Sequence, residues 1–77
     1  MEINILSFGK IAEIMTITSL KTDEPMDTDG LKLQLEESYP ALKTIKYKLA
    51  LNKQIVQQNR KLLSGDVVAI MPPFSGG

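Results

Sequence analysis

The first residues of the chain alternate in a way that predicts a β-strand. Residues 2–8 (EINILSF) are rich in branched and aromatic side chains, which favour an extended backbone. Successive side chains of a strand point to opposite faces, so Ile3 and Ile5 share one face. Leu6 and Phe8 share the other face, and both faces of this strand are therefore partly apolar.

Four further segments have the composition of strands. Residues 14–20 (IMTITSL) carry branched side chains throughout, and residues 47–51 carry their large apolar side chains at every second position. A short extended segment at residues 54–57 follows, after a turn at residues 52–53. Residues 67–71 (VVAIM) follow the turn signal SGD and are apolar on both faces, which is typical of a central strand.

The periodicity of residues 29–38 is compatible with either a strand or a helix. Leucines alternate there, but every fourth position from Leu31 is also apolar, as on one stripe of a helix. The two glutamates near the end of the segment favour a helix. Thr28 or Asp29 is a suitable cap and Pro40 a suitable stop, so we predict a helix over residues 29–38.

The predicted order of elements is strand, strand, helix, strand, short strand and strand, with a helical turn at residues 10–13 and a loop at residues 21–27. This order within 77 residues matches an α+β domain of the β-grasp (ubiquitin-like) type, in which one main helix packs on a mixed sheet. The first and last strands would be parallel neighbours in the middle of that sheet. We expect a β-grasp domain over residues 1–71 and a flexible C-terminal tail over residues 72–77.

The length of 77 residues allows one domain with one modest core. Basic and acidic residues balance at nine each, so the summed charge gives no reason to expect a nucleic acid or an anionic membrane as a partner. No segment has the length of a membrane span or the pattern of a secretory signal. We expect a cytoplasmic protein whose partner is another protein or a small molecule.

The sequence contains neither histidine nor cysteine. Their absence removes the commonest general base, the best metal ligands and the usual thiol nucleophile, so we do not expect a self-sufficient enzyme. We assign no metal, because the acidic residues before the predicted helix lack the glycine and glutamate of a calcium loop. We interpret these carboxylates, and four lysines further along, as solvated surface charges: Asp23, Glu24, Asp27 and Asp29, and Lys43, Lys46, Lys48 and Lys53.

The last six residues (PPFSGG) form the most informative segment of the chain. Pro72 and Pro73 have no backbone N–H for a sheet, so the last strand must end there and the chain must continue extended. Gly76 and Gly77 have no side chains, so a narrow channel in another protein can admit them. The carboxyl group of Gly77 is then the candidate reactive group, against the alternative of an inert, frayed terminus.

An ending of the type Pro-Pro-x-Ser/Thr-Gly-Gly resembles the small subunit of molybdopterin synthase, a ubiquitin-like sulfur carrier. The resemblance continues upstream through residues 63–69 (LSGDVVA), residues 52–56 (NKQIV) and the Phe8-Gly9 pair. One departure is Ala12, at a position where the family usually has a basic residue, and Lys10 stands two positions earlier. The resemblance covers the whole chain, and the tail is its specific part.

The resemblance implies a mechanism at Gly77. An activating enzyme related to ubiquitin-activating proteins would use ATP to convert the carboxylate to an acyl-adenylate. A sulfur donor, such as a cysteine desulfurase or a rhodanese, would then leave a thiocarboxylate. The tail would enter the large subunit of molybdopterin synthase, which is expected to carry the catalytic groups, and would pass sulfur to the cyclic pyranopterin precursor to form the dithiolene. No cofactor is expected to stay bound to this chain.

The resemblance also implies where partners bind. The family places apolar partner contacts at the positions of Phe8, Ile55 and Met71, although ordinary core packing explains each of these residues at least as well on its own. The other predicted partner-binding residues belong to the tail: Pro72, Pro73, Phe74, Ser75 and Gly76.

Three alternative functions remain open at this point. A sulfur carrier for thiamin thiazole synthesis or tRNA thiolation would share the fold, the terminal Gly-Gly and the adenylation chemistry, although the two prolines and Ser75 favour the molybdenum pathway. A ubiquitin-like protein modifier would be joined to lysines through the same terminus. A plain interaction module would have an inert tail.

Overall fold

A computed structural model describes residues 1–73 of the chain. Five strands form one sheet: β1 (Glu2–Ser7), β2 (Ser19–Lys21), β3 (Lys48–Leu51), β4 (Gln54–Ile55) and β5 (Val67–Met71). The helices of this part of the chain are α1 (Lys10–Ile14), α2 (Thr28–Ser38) and a 3₁₀ helix (Pro40–Thr44). None of these three helices has the length and apolar character needed to cross a membrane.

The strands lie in the order β2-β1-β5-β3-β4. β1 and β5 are parallel, with Leu6 opposite Ala69, and the other neighbouring pairs are antiparallel. β5 therefore occupies the centre of the sheet, with β1 beside it. This arrangement confirms the predicted α+β fold of the β-grasp type, including the mixed sheet, the parallel first and last strands and the one main helix.

The hydrophobic core lies between one face of the sheet and the helices. Alternate residues of the two central strands face residues of the helices across it: Ile3, Ile5, Val68 and Ile70 from the sheet, and Ile11, Leu31, Leu35 and Leu42 from the helices. Burying one such side chain contributes about 1.5–3 kcal/mol to folding. The fourfold spacing of the α2 leucines therefore prevails over their alternation, and the predicted helix in this segment is confirmed.

The predicted strand over residues 14–20 is wrong for most of its length. Only Ser19–Lys21 forms a strand, and Ile14 ends α1 instead. The N–H of Met15 donates to the carbonyl of Ile11 at 2.9 Å, which continues the helical turn. Ile11 and Met15 are both buried in the core, so tertiary packing outweighs the strand propensity of the branched residues.

The predicted turn between β3 and β4 is confirmed, but β4 is shorter than predicted. Asn52 and Lys53 have φ angles of 48° and 75°, as a tight two-residue hairpin requires. Only Gln54–Ile55 of the predicted residues 54–57 forms a strand. One edge of β3 is therefore only partly covered by its neighbour.

The start of α2 depends on Asp27. Its side chain accepts a hydrogen bond from the Gly30 N–H at 2.7 Å, which caps the helix. The Asn59 amide donates to the same carboxylate at 3.0 Å. The hydrogen bond from Asn59 lowers the pKa of the Asp27 carboxyl group most, and the hydrogen bond from the Gly30 N–H lowers it further. The pKa therefore lies below its ordinary value of 3.8. Asp27 is thus the cap in place of the predicted Thr28 or Asp29, because a distant loop residue fixes its carboxylate.

We expect Asp27→Ala to lower the melting temperature at neutral pH, because it removes both hydrogen bonds at the start of α2. Asp27→Asn is the matched control, since Asn caps a helix about as well as Asp without the charge. The folded pKa lies below 3.8, so the stabilising effect of the charge is complete above that pH and is lost as the pH falls through the folded pKa. Melts at decreasing pH should show a shrinking penalty for Asp27→Ala, and a penalty independent of pH would contradict this account.

Candidate functional site

The sheet face opposite the helices carries a continuous row of apolar residues. Leu6 of β1 lies directly opposite Ala69 of β5. Ala69 in turn pairs with Ala50 of β3, and Ala50 pairs with Ile55 of β4. Paired residues project on the same side of a sheet, so each of four adjacent strands contributes one residue to the row. Leu6 is 48% exposed and Ile55 is 46% exposed, although both side chains are large and apolar.

Phe8 and Met71 extend this row toward the end of the two central strands. Each follows a member of the row by two positions, so strand alternation places both on the same face. The N–H of Phe8 donates to the carbonyl of Ile70 at 3.1 Å, which carries the pairing past the end of β1. The Phe8 side chain is 49% exposed, and Met71 is half-buried. Ala50 is only 3% exposed, so we call the other members of the row, together with Phe8 and Met71, the outer patch: Leu6, Phe8, Ile55, Ala69 and Met71.

The structure brings together the three sheet residues predicted to contact partners. Phe8, Ile55 and Met71 all lie in the outer patch, and none belongs to the hydrophobic core. Core packing therefore does not explain Phe8 or Ile55. Their contact with a partner stays a prediction.

The sequence prediction missed Leu6 as a member of this surface. The signal was present, because the same alternation that exposes Phe8 also exposes Leu6. A groove of about 230 Å³ lies beside it, lined by Leu6, Asn52, Lys53, Val67 and Ala69. The hairpin turn and the central strands thus shape the middle of the outer patch.

The chain leaves the sheet beside Gly9. Lys48 and Met71 form the last register pair of β3 with β5, and Pro72 has no N–H with which to extend it. Gly9 has a φ of 57°, and a Cβ atom added to it would lie 3.1 Å from Cγ of Pro72. The close approach of Pro72 to this backbone sets the direction in which the chain continues. The remaining predicted site residues lie outside the described part of the chain: Phe74, Ser75, Gly76 and Gly77.

The acidic residues near the start of α2 do not assemble a metal site in the described structure. Within residues 1–73, no three side chains of the metal-binding types stand close enough together to hold an ion. Asp27 uses one carboxylate oxygen to cap α2 and the other to accept from Asn59. Its role is therefore structural.

Comparison with known proteins identifies the family. The ThiS family matches residues 5–77, which is nearly the whole chain. The chain belongs to the ThiS family.

Three relatives extend this result. Each is named molybdopterin synthase sulfur carrier subunit, and each aligns over 83 positions. The protein from Chlamydomonas reinhardtii is 34% identical, and the alignment covers 100% of both chains. The human protein is 30% identical, with 99% of this chain and 94% of the relative covered. The Dictyostelium discoideum protein is 32% identical, with 99% and 96% covered. These relatives confirm the resemblance to the small subunit of molybdopterin synthase.

We expect Gly9→Ala to destabilise the fold by on the order of 1–3 kcal/mol, because its φ of 57° and ψ of −135° suit only glycine. The new Cβ would also press on Cγ of Pro72. Pro72→Ala removes that carbon, so the double variant should lose less stability than the sum of the single variants. Urea unfolding of the four proteins measures this coupling. Strictly additive losses would show that Gly9 and Pro72 do not constrain each other.

Proposed function

We propose that this chain is the sulfur carrier subunit of a molybdopterin synthase and acts through the carboxyl group of Gly77. The observation that carries the proposal is the family match through Gly77, together with three relatives that bear this subunit's name. Those names favour molybdenum cofactor synthesis over thiazole synthesis, tRNA thiolation and protein modification.

The proposed reaction begins at the Gly77 carboxylate. A carboxylate is a poor acylating agent because its leaving group would be an oxide. An activating enzyme therefore joins it to the AMP part of ATP and releases pyrophosphate. The persulfide of a sulfur donor then displaces AMP to give an acyl disulfide. A second thiol cleaves its S–S bond, so that the terminus is left as a thiocarboxylate and the two thiols become a disulfide. Its sulfur is soft, anionic and nucleophilic, as the sulfur of a thiolate is, and it attacks the cyclic pyranopterin precursor. Hydrolysis of the resulting thioester leaves the sulfur on the precursor and restores the Gly77 carboxylate, and two such transfers supply the two sulfurs of the dithiolene.

The chain supplies the nucleophile, and its partners supply the remaining chemistry. The sequence has no histidine and no cysteine, so acid and base groups come from the large subunit. ATP is consumed by the activating enzyme and is not a resident cofactor of this chain. A cysteine desulfurase or a rhodanese is the proposed source of sulfur.

The outer patch is the proposed docking surface for the large subunit. Its half-exposed Phe8 is an aromatic anchor of the kind that carries much of the binding energy at protein interfaces. Met71 belongs to the patch and immediately precedes Pro72, so the patch adjoins the point where the tail leaves the sheet. A partner seated on the outer patch would therefore receive the tail directly.

Conversion of Gly77 is tested by incubating the chain with its activating enzyme, ATP and a sulfur source. We expect the intact mass to rise by the replacement of one oxygen with sulfur. Adding one residue after Gly77 moves the carboxyl group by about 3.3–3.6 Å, and deleting Gly77 moves it back by a similar distance. A misplacement of even about 1 Å can cost on the order of a hundredfold in rate, so neither variant should be adenylated.

Pyrophosphate exchange with the activating enzyme measures adenylation directly, and thermal melts serve as the control for folding. Both tail variants should melt as the normal chain does, because the outer patch and the core are unchanged. Exchange at the normal rate by an intact, extended chain would refute Gly77 as the reactive residue. An unaltered mass, beside a known carrier that is converted in the same mixture, would refute the carrier function.

Docking through the outer patch is tested with Phe8→Ala. We expect the affinity for the large subunit to fall by about 1–3 kcal/mol, because an exposed aromatic anchor is truncated. Leu33→Ala is the matched control, since Leu33 is 64% exposed on α2, on the other side of the sheet. It should leave the affinity unchanged, and both variants should keep their melting temperatures. A large fall in melting temperature with undiminished affinity would assign Phe8 to the core instead.

A further inference from the structure

A cationic groove lies between α2, the 3₁₀ helix and the start of β3. Its volume is about 720 Å³. Three lysines and a single carboxylate line it: Lys32, Lys43, Lys46 and Glu36. Lys48 also lines it, but its pairing with Met71 directs its side chain to the outer face of the sheet. The rest of the chain, with Lys48 included, has six basic residues against eight acidic ones, so the groove concentrates positive charge in a chain whose formal net charge is zero.

The carboxylate of the cationic groove is already engaged. The hydroxyl of Tyr47 donates a hydrogen bond to Glu36. Burial raises the pKa of the Tyr47 hydroxyl, and the hydrogen bond to Glu36 raises it further, so Tyr47 stays a donor at neutral pH. Nζ of Lys32 lies 5.5 Å from the centroid of the Tyr47 ring, which holds this ammonium at the wall of the groove. Lys43 and Lys46 are exposed.

The edge of β3 beside the groove is only partly paired. Beyond the two residues of β4, only Val56 continues the pairing, by donating its N–H to the carbonyl of Leu49 at 2.8 Å. The register pairs of β3 with β4 end at Ala50 with Ile55, so the N–H groups of Leu49 and Tyr47 meet no residue of β4. Alternate residues of an antiparallel strand direct their backbone groups to the same edge, so both donors face the side on which β4 lies. Such an edge is a template for an added strand.

The cationic groove also reaches the root of the tail. Pro73 belongs to its lining, because Met71 pairs with Lys48 and the chain then continues alongside the residues that precede β3. A neighbouring groove of about 270 Å³ runs along the open edge, where Tyr47, Leu49 and Val56 line it together with one cation, Lys32, and one carboxylate, Asp29, from α2. A partner that holds the tail is therefore placed against both grooves.

We infer that the cationic groove binds an acidic, extended segment of a partner protein, which pairs as an added strand with the open edge of β3. The lysines select an acidic segment, and the two N–H groups at that edge select an extended backbone over a nucleotide phosphate. Because Pro73 lines the groove, we assign this segment to the partner that takes the tail. Only the identity of that partner rests on the proposed function. Lys43 and Lys46 thus have a binding role in place of the solvating role inferred from sequence.

The probe is a terminally blocked hexapeptide of alternating Glu and Val, titrated into the nitrogen-15-labelled full chain. We expect the largest amide shift changes at Tyr47 and Leu49 and across residues 43–48, because new hydrogen bonds and charge contacts form there. Binding should weaken as the salt concentration rises. The same peptide with Gln in place of Glu should bind at least about tenfold more weakly.

Matched charge reversals locate the site. Lys43→Glu with Lys46→Glu reverses two exposed charges of the groove, and Lys21→Glu with Lys61→Glu makes the same change in net charge on exposed residues outside it. The first pair should weaken peptide binding at least about tenfold, and the second should leave it within about twofold. Because all four lysines are exposed, both variants should give the dispersed spectrum of a folded chain. If both double variants lost the same affinity for the peptide, only the overall charge of the protein would matter, and the proposed site would be wrong.

Other outcomes would also overturn the inference. The binding role of the cationic groove would be refuted if the neutral peptide bound as tightly as the acidic one, or if the amides of β3 showed no shift changes. Changes caused by AMP or ATP but not by the peptide would identify a phosphate site instead, and changes that grow with protein concentration alone would identify pairing between two copies. The assay contains no activating enzyme, so its failure would leave the role of Gly77 untouched. A chain that cannot be thiocarboxylated could still bind the peptide.

Discussion

The parallel pairing of β1 with β5 is the constraint on which the rest of the structure depends. Four register pairs, from Asn4 with Val67 to Ser7 with Ile70, join the two ends of the chain in the middle of the sheet. The helices and the other three strands all belong to the connection that leads from β1 to β5. Because that connection crosses one face of the sheet, the helices pack on that face as one layer. The same pairing brings the end of β5 beside Gly9 and so determines where the tail leaves the sheet.

The pairing also divides the apolar residues of the central strands between two faces. One face is covered by α1, α2 and the 3₁₀ helix, and its residues are fully buried. The described chain has no second layer for the other face, so Leu6 and Phe8 stay half-exposed. Large apolar side chains that share an open face of a small protein indicate a surface meant for a partner. The shortage of covering elements thus leaves the outer patch open to the proposed partner.

The distribution of charge adds a second kind of surface on the helix side. The outer patch is apolar, whereas Lys32, Lys43 and Lys46 line the cationic groove, and residues 71–73 lie between the two surfaces. Apolar contacts are insensitive to salt, but charge contacts at an exposed groove are screened. A partner of the tail can therefore meet two chemically different surfaces at once. Pro72, which is conformationally restricted and lies close to Gly9, fixes where the chain leaves the sheet between these surfaces.

Local pattern by itself determined the central strands, the main helix and the hairpin turn, because each depends on neighbouring residues in the sequence. The chemistry proposed for the tail came from the resemblance of the chain to a known family. Tertiary structure decided the rest. Residues 14–20 have strand propensity, but burial of Ile11 and Met15 extends α1 into them. Asp27 became the cap of α2 because Asn59, far along the chain, binds its carboxylate. Alternation separated Phe8 from Ile5, but it could not say which face the helices would cover, since long-range packing makes that choice.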